Sequence, residues 1–220
     1  MREQDLFAIT SAPLPLPDGV RRLEGFALSR QEALLEAIAA VLAAAPFRHL
    51  WTPGGQPMSV AMTNCGTLGW ISDRRGYRYS ALDPQSGRPW PPLPEVIHEL
   101  AVAAAGAAGF AAFAPDACLI NRYVPGARMS LHQDRDERDL QAPIVSISLG
   151  LPAVFLFGGL QRRGRPLRIA LEHGDVIVWG GPVRLAYHGV APVPEGEHPR
   201  VGRQRLNLTL RQAGPSACRS

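Results

Sequence analysis

Lysine is absent from this 220-residue chain, and all 23 basic residues are arginine. Arginine codons are GC-rich, so the bias reads as genome composition and excludes no function. Cysteine is scarce too. Cys65, Cys118 and Cys218 are widely spaced, odd in number and free of any C-x-x-C pair. That argues against a secreted disulfide framework and fits a reducing cytosol. Long apolar runs are also missing: the weakly polar stretch "AVAAAGAAGFAAFA" is too short and too rich in Ala and Gly to span a bilayer. Arg2, Glu3 and Asp5 stand where a signal peptide needs an apolar run, so export is not expected. With no internal repeat and no low-complexity linker, one domain over residues 1–220 is expected, cytosolic and without a membrane partner.

What is present is an ordinary globular composition, 46% hydrophobic and 19% charged. A net charge of +4 and a pI near 9.4 mildly favour an anionic partner. "DRRGYRY" (73–79) interleaves Arg with Tyr, and "QRRGRPLR" (161–168) gathers four Arg around a Gly-Pro turn. Basic loops with aromatic neighbours suit phosphates and bases, although each alone could be a solubilising surface.

"SRQEALLEAIAAVLAAAPF" (29–47) is the clearest helix, with Ser29 placed to cap it, Glu32 three residues on and Pro46 to end it. A second helix is expected from about Pro94 to Gly109. From Cys118 the pattern changes to short β-type runs punctuated by Gly, Pro and Asp, as in a barrel or sandwich. The expected class is α+β, a jelly-roll-like core (about 117–213) backed by N-terminal helices. The turn-rich, aromatic middle (about 48–92) reads as a lid or binding wall. "APLPLPDG" (12–19) reads as an extended lead-in.

His132 and Asp134 in "LHQDRDER" are two apart, so on an extended segment both point one way and could grip one ion. With six His and nine Asp, one H-x-D match arises by chance in roughly one chain in four, so the pair needs company. His188 and His173 are both candidates for a third ligand. Two His and a carboxylate occupy one face of an octahedral ion, as in non-haem Fe(II) oxygenases. In "RLNLTLR", Arg205, Asn207, Thr209 and Arg211 share a face opposite Leu206, Leu208 and Leu210. A guanidinium there meets water or binds a carboxylate. Asn121 and Tyr123 share a face and could add donors to the same pocket.

Seven ordered blocks, "SVAMTNCGTLGW", "PDACLINRYVPGA", "SLHQDRDE", "APIVSISLGLPA", "LEHGDVIVWGG", "YHGV" and "NLTLRQAG", together resemble the AlkB family of Fe(II)- and 2-oxoglutarate-dependent oxygenases. The likeness runs from about Asp5 to Gly214. It implies a double-stranded β-helix (jelly-roll) with a nucleotide-recognition lid. It implies His132, Asp134 and His188 as iron ligands, which selects His188 over His173. Arg205 and Arg211 match the arginines that hold 2-oxoglutarate, with Asn121, Tyr123 and Asn207 around it. The implied reaction spends O2 and 2-oxoglutarate to hydroxylate an N-methyl group on 1-methyladenine or 3-methylcytosine in DNA; formaldehyde is then lost. Trp70 matches the aromatic that stacks on the base, Tyr77 and Tyr79 match residues that contact the nucleotide, and Asp136 matches the acid near the exocyclic amine. Arg162 matches a basic residue at the pocket rim.

In this reading Glu137, Arg138 and Asp139 are solvated surface charges. Leu206 and Leu210 replace aromatics of the family on the packing face, and the 161–168 loop is a variable region. "PSACRS" matches nothing and is expected to fray. Single-stranded DNA is the expected partner of a monomeric enzyme, with duplex DNA and RNA as alternatives. A tRNA or RNA demethylase is the nearest competing reading; a non-catalytic nucleic-acid-binding β-barrel is the competitor from another class.

Overall fold

The last strand shows how the fold is organised. The structure, a computed structural model, describes residues 15–214; Cys218, the rest of "PSACRS" and the start of the "APLPLPDG" lead-in lie outside the described residues. In β13 (Arg205–Arg211) every residue is buried, yet the two faces differ in kind. Leu206, Leu208 and Leu210 enter an apolar core with Leu34, Ile38 and Val41 of α1 (Gln31–Ala44) and Ile97 and Leu100 of α2 (Glu95–Ala107). Burying each leucine contributes about 2 kcal/mol. The opposite face carries Arg205, Asn207, Thr209 and Arg211 into the space between two sheets. The alternation in "RLNLTLR" is therefore a boundary between an oily layer and a polar interior.

Beside β13 run β8 (Ile144–Gly150) and β6 (Ala117–Tyr123), with Asn207 opposite Ser148 on one side and Asn121 on the other. With β1 (Val20–Leu23), β2 (Arg48–Trp51), β3 (Pro57–Gly66) and β11 (Val176–Trp179) they make a seven-stranded sheet, ordered β1-β11-β8-β13-β6-β3-β2. A four-stranded sheet faces it, formed by β7 (Met129–His132), β9 (Ala153–Phe157), β10 (Leu167–Leu171) and β12 (His188–Val190) in the order β10-β9-β12-β7. Val60, Met62, Ile144, Phe155, Phe157, Ile177 and Trp179 pack into a second apolar cluster. The two sheets keep open edges, so the core is a jelly roll backed by helices and not a closed barrel.

The lead into α1 departs from expectation. A 3-10 turn at Leu28–Arg30 precedes it, and no side chain caps either start. Tertiary ties override the local cap signal: Ala27 donates its N–H to the Gly174 carbonyl, and Gly25 donates to Asp175 Oδ1. In the middle of the chain, β4 (Gly69–Asp73) and β5 (Gly76–Ser80) form a separate two-stranded hairpin. Among the described residues, no helix is long and apolar enough to cross a membrane.

Candidate active site

His132 closes β7 and His188 opens β12, and the two are direct register partners. Asp134 follows in the segment just beyond β7. Its Oδ1 lies 3.5 Å from His132 Nε2 and its Oδ2 3.6 Å from His188 Nε2. The three donor atoms all lie within 4.8 Å of one another. Each imidazole has its Nδ1 against a backbone carbonyl, Ser130 for His132 at 2.9 Å and Ala186 for His188 at 3.0 Å. That contact assigns the proton to Nδ1 and leaves the Nε2 lone pair facing Asp134, the tautomer a metal ligand needs. Burial opposes ionisation of Asp134, but the Arg211 guanidinium overrides it and holds the carboxyl well below the usual carboxylate range. Burial, reinforced by His132, pushes His188 down, so it stays a neutral donor. Two imidazoles and a carboxylate fit a divalent iron with positions to spare. His173 stands elsewhere, accepting the Gly150 N–H at Nδ1.

Arg205 supplies the second half of the site. Its side chain is among the most buried in the chain, at 1% exposure, and Nη2 donates to Ser148 Oγ at 3.0 Å. Among the described residues, Nε and Nη1 have no hydrogen-bond partner. A buried guanidinium with two open donors is costly unless an anion completes it. Its carbon lies 5.2 Å from the Tyr123 ring centroid, and burial pushes that phenol up to about 12. Asn121 Oδ1 is likewise buried without a partner, while its amide nitrogen reaches Asn207 Oδ1 at 3.4 Å. Asn207 donates to Ser146 Oγ at 2.7 Å. The two open guanidinium donors of Arg205 fit a buried dicarboxylate. Arg211 is differently engaged: Nη2 and Nε donate to Asp134 Oδ2 at 2.6 and 2.8 Å, so its fork braces a metal-facing carboxylate.

The β4–β5 hairpin reaches the same segment. Trp70 Nε1 donates to Asp136 Oδ2 at 2.9 Å, two residues beyond Asp134. Tyr77 stacks on Trp70 with centroids 5.4 Å apart and planes 14° from parallel. A groove of about 390 Å³ runs beside them, lined by Tyr77, Tyr79, Asp136 and Arg138. Tyr79 turns its hydroxyl inward, to Glu137 Oε1 at 2.7 Å. Arg162 stands apart in the exposed loop after β9.

Glu137 overturns the expectation of a surface charge. It is buried, and Arg184 Nη2 donates to its Oε2 at 3.2 Å. Arg184 also donates to the carbonyls of Asp134 and Ala142. Sequence reasoning missed Arg184, Ser146 and Ser148. Arg184 lies 47 residues from Glu137, and nothing local marks either. The serines did carry a signal, as the polar positions of the alternating run "IVSISLG" beside β13.

The sequence profile of the 2OG-Fe(II) oxygenase superfamily matches residues 19–211. Alpha-ketoglutarate-dependent dioxygenase AlkB of Escherichia coli (strain K12) is 58% identical over 200 residues, which cover 91% of this chain and 93% of that protein. The chain belongs to the AlkB family of this superfamily. It is an Fe(II)- and 2-oxoglutarate-dependent dioxygenase, and its His-Asp-His cluster could bind the iron. An AlkB homolog of Caulobacter vibrioides (strain NA1000 / CB15N) is 49% identical over 187 residues, 84% of this chain and 83% of that one. The solved structure of OsALKBH1 shares the fold of this AlkB-family chain, with a TM-score of 0.77, 28% identity and coverage of 90% and 100%.

Proposed function

We propose that this dioxygenase demethylates N-alkylated bases, of the 1-methyladenine and 3-methylcytosine type, in DNA, and so reverses alkylation damage directly. The observation that carries the reading is the aromatic slot tied to the metal segment: Trp70, backed by Tyr77 and bonded to Asp136 two residues from Asp134. A methylated adenine or cytosine of this type is a flat cation, which an electron-rich ring and a carboxylate suit together. When bound, Fe(II) with 2-oxoglutarate and O2 supplies the oxidation of a methyl C–H bond; the hydroxymethyl product sheds formaldehyde and leaves the repaired base.

The chain's own residues do the rest. His132 and His188 present Nε2, and Asp134 a carboxylate braced by Arg211. Arg205 and Arg211 hold 2-oxoglutarate, Arg205 at its far carboxylate, with Asn121, Tyr123 and Asn207 around it. Trp70 stacks on the base and Asp136 Oδ1, which Trp70 leaves free, accepts from its exocyclic amine. Tyr77 and Tyr79 lie along the nucleotide path, and Arg162 stands at the rim. Residues of about 48–92 then act as the recognition lid and about 117–213 as the catalytic core of a single-domain, monomeric, cytosolic enzyme. Single strands are favoured because unstacking a paired base costs a few kcal/mol that an unpaired base does not.

The test uses the iron-loaded protein with 2-oxoglutarate, ascorbate and a single-stranded DNA oligonucleotide bearing one 1-methyladenine. Loss of the methyl group, matched one for one by succinate and formaldehyde, is the expected outcome. Succinate formed without demethylation of that strand would sink the DNA reading. Demethylation of the matched RNA alone would replace it with the RNA one.

A further inference from the structure

In β3 the run "SVAMTNCG" alternates, and the strand period places Val60, Met62 and Asn64 on one face and Ala61, Thr63 and Cys65 on the other. Val60 and Met62 enter the apolar cluster between the sheets, and Cys65 enters the one that includes α1 and α2. Asn64 is therefore an amide where the pattern calls for a third apolar side chain, and it is buried, at 3% exposure. A buried amide costs stability unless its oxygen and nitrogen are bonded. Both are, and to one residue. Asn64 Oδ1 accepts the Trp70 N–H at 3.0 Å, and Asn64 Nδ2 donates to the Trp70 carbonyl at 3.0 Å.

The N–H and C=O of one strand residue point to the same side. Trp70 thus turns both groups away from β5 and toward Asn64, on the edge of a sheet that has only two strands. The amide takes the place of a third strand at that one residue. Such a hairpin is marginally stable by itself, so its place beside the metal segment depends on individual ties. Ser72 Oγ donates to the Trp51 carbonyl at 2.6 Å, Trp90 Nε1 to the Ser80 carbonyl at 3.0 Å and Tyr79 to Glu137. None of these bonds reaches the Trp70 backbone. Gly69 makes the approach possible, because a Cβ there would meet Asn64 Cβ at 2.9 Å and clash with the Trp90 indole. The turn before Trp70 is pinned as well: Thr67 donates its N–H to the Asp116 carbonyl at 2.9 Å.

We infer that Asn64 is the positioning residue of the base slot: its amide fixes the Trp70 backbone, and with it the place of the indole against Asp136. Asn64 touches neither base nor cofactor and acts through Trp70. The inference rests on the base-slot reading for what the indole meets, while the contact itself can be read without any substrate. A base stacked on a loose wall spends less time in the reacting geometry, and misplacement by about 1 Å can cost on the order of a hundredfold in rate. 2-Oxoglutarate is then consumed without repair.

The experiment compares the full chain with Asn64→Leu, which matches the amide in size and bonds to nothing, and with Asn64→Asp, which keeps an acceptor for the Trp70 N–H. With fluorotryptophan incorporated and Zn(II) and 2-oxoglutarate bound, fluorine NMR gives a line for each of the four tryptophans. The line lost in Trp70→Phe is that of Trp70. It should shift or broaden in Asn64→Leu, and less so in Asn64→Asp, while the line of Trp179, inside the jelly roll, stays in place. With Fe(II) and a single-stranded 1-methyladenine oligonucleotide, kcat/KM for demethylation should fall about tenfold or more, as the loss of two hydrogen bonds implies. Succinate should then exceed formaldehyde. Mn(II) affinity and the rise in Tm with 2-oxoglutarate should match the wild type. If Asn64→Leu does not fold, the same readings on Asn64→Asp decide. An unmoved Trp70 line, or unchanged coupling despite a displaced one, overturns the inference. So does a Trp179 line that moves with it while the response to 2-oxoglutarate is lost, because Asn64 would then hold the core and not the slot. A wild type that leaves the oligonucleotide methylated, with the Trp70 line displaced in Asn64→Leu, sinks the demethylation reading alone.

Discussion

At the residue scale Arg205 makes the sharpest demand. Its guanidinium is buried, with Nε and Nη1 unpaired among the described residues. A cation held this way destabilises the fold until an anion completes it. Arg205→Met keeps the length of the side chain and deletes the charge. Without 2-oxoglutarate the variant should melt no lower than the wild type, because replacing uncompensated buried charge by packed apolar atoms is neutral or stabilising by about 1–4 kcal/mol. It should lose the rise in Tm that 2-oxoglutarate gives the wild type and need on the order of tenfold more of it for turnover. Melts with Mn(II) and a 2-oxoglutarate series read this out. A variant that keeps the wild-type dose dependence would move the dicarboxylate elsewhere. The face on which Arg205 lies was legible in the sequence, because a strand of period two sorts "RLNLTLR" with no outside information. The partner of Arg211 was not. Asp134 is 77 residues away, and which arginine braces the metal carboxylate and which stays open depends on how two sheets meet. Glu137 failed for the same reason: in a run of charges, its ties to Tyr79, Arg184 and Arg211 reveal which one is buried.

At the scale of elements the metal centre depends on one close strand approach. β12 has three residues, and its pairing with β7 shifts between His188 and Val190. A Cβ at Gly189 would meet the Met129 carbonyl oxygen at 2.6 Å and the Ser130 carbonyl carbon at 3.1 Å, both backbone atoms that cannot turn aside. The glycine in "YHGV" thus admits β7. Gly189→Ala should part β12 from β7 and with them the imidazoles each carries. Mn(II) affinity, titrated by electron paramagnetic resonance, should fall about 10- to 100-fold, the range seen when support behind a ligand is lost. Retained affinity in a folded variant would show that the two histidines tolerate separate strands. The C-terminal strands and both helices were readable from period and punctuation. The β4–β5 hairpin was not: Gly, Arg and Tyr around a tight turn look like a loop until Trp70 and Tyr79 are found side by side.

At the scale of the whole molecule, acid stability should turn on His173. The imidazole accepts the N–H of Gly150 at the end of β8 at 2.9 Å, its Nε2 lies 3.0 Å from Gln31 Oε1 on α1, and its ring stacks on His198 with centroids 4.2 Å apart. One neutral ring thereby joins the first helix, the large sheet, the turn before β11 and the loop before β13. Nothing local in the sequence marks this junction, which exists only once the chain has closed. Burial, and then the neighbouring His198, hold His173 below its ordinary value of 6.5. Protonation would also remove the acceptor that Gly150 uses. The unfolded chain therefore takes up this proton at higher pH than the folded one. The stabilisation is full above about pH 6.5 and is lost as pH falls toward the lower folded value. His173→Gln offers an acceptor and a donor but no titration. His132 and His188 titrate in both proteins, so their contribution cancels in the difference. Metal-free Tm should drop more steeply in the wild type than in the variant as pH is lowered from about 7.5 to about 5.5. Parallel curves would mean that the junction holds regardless of the charge on His173.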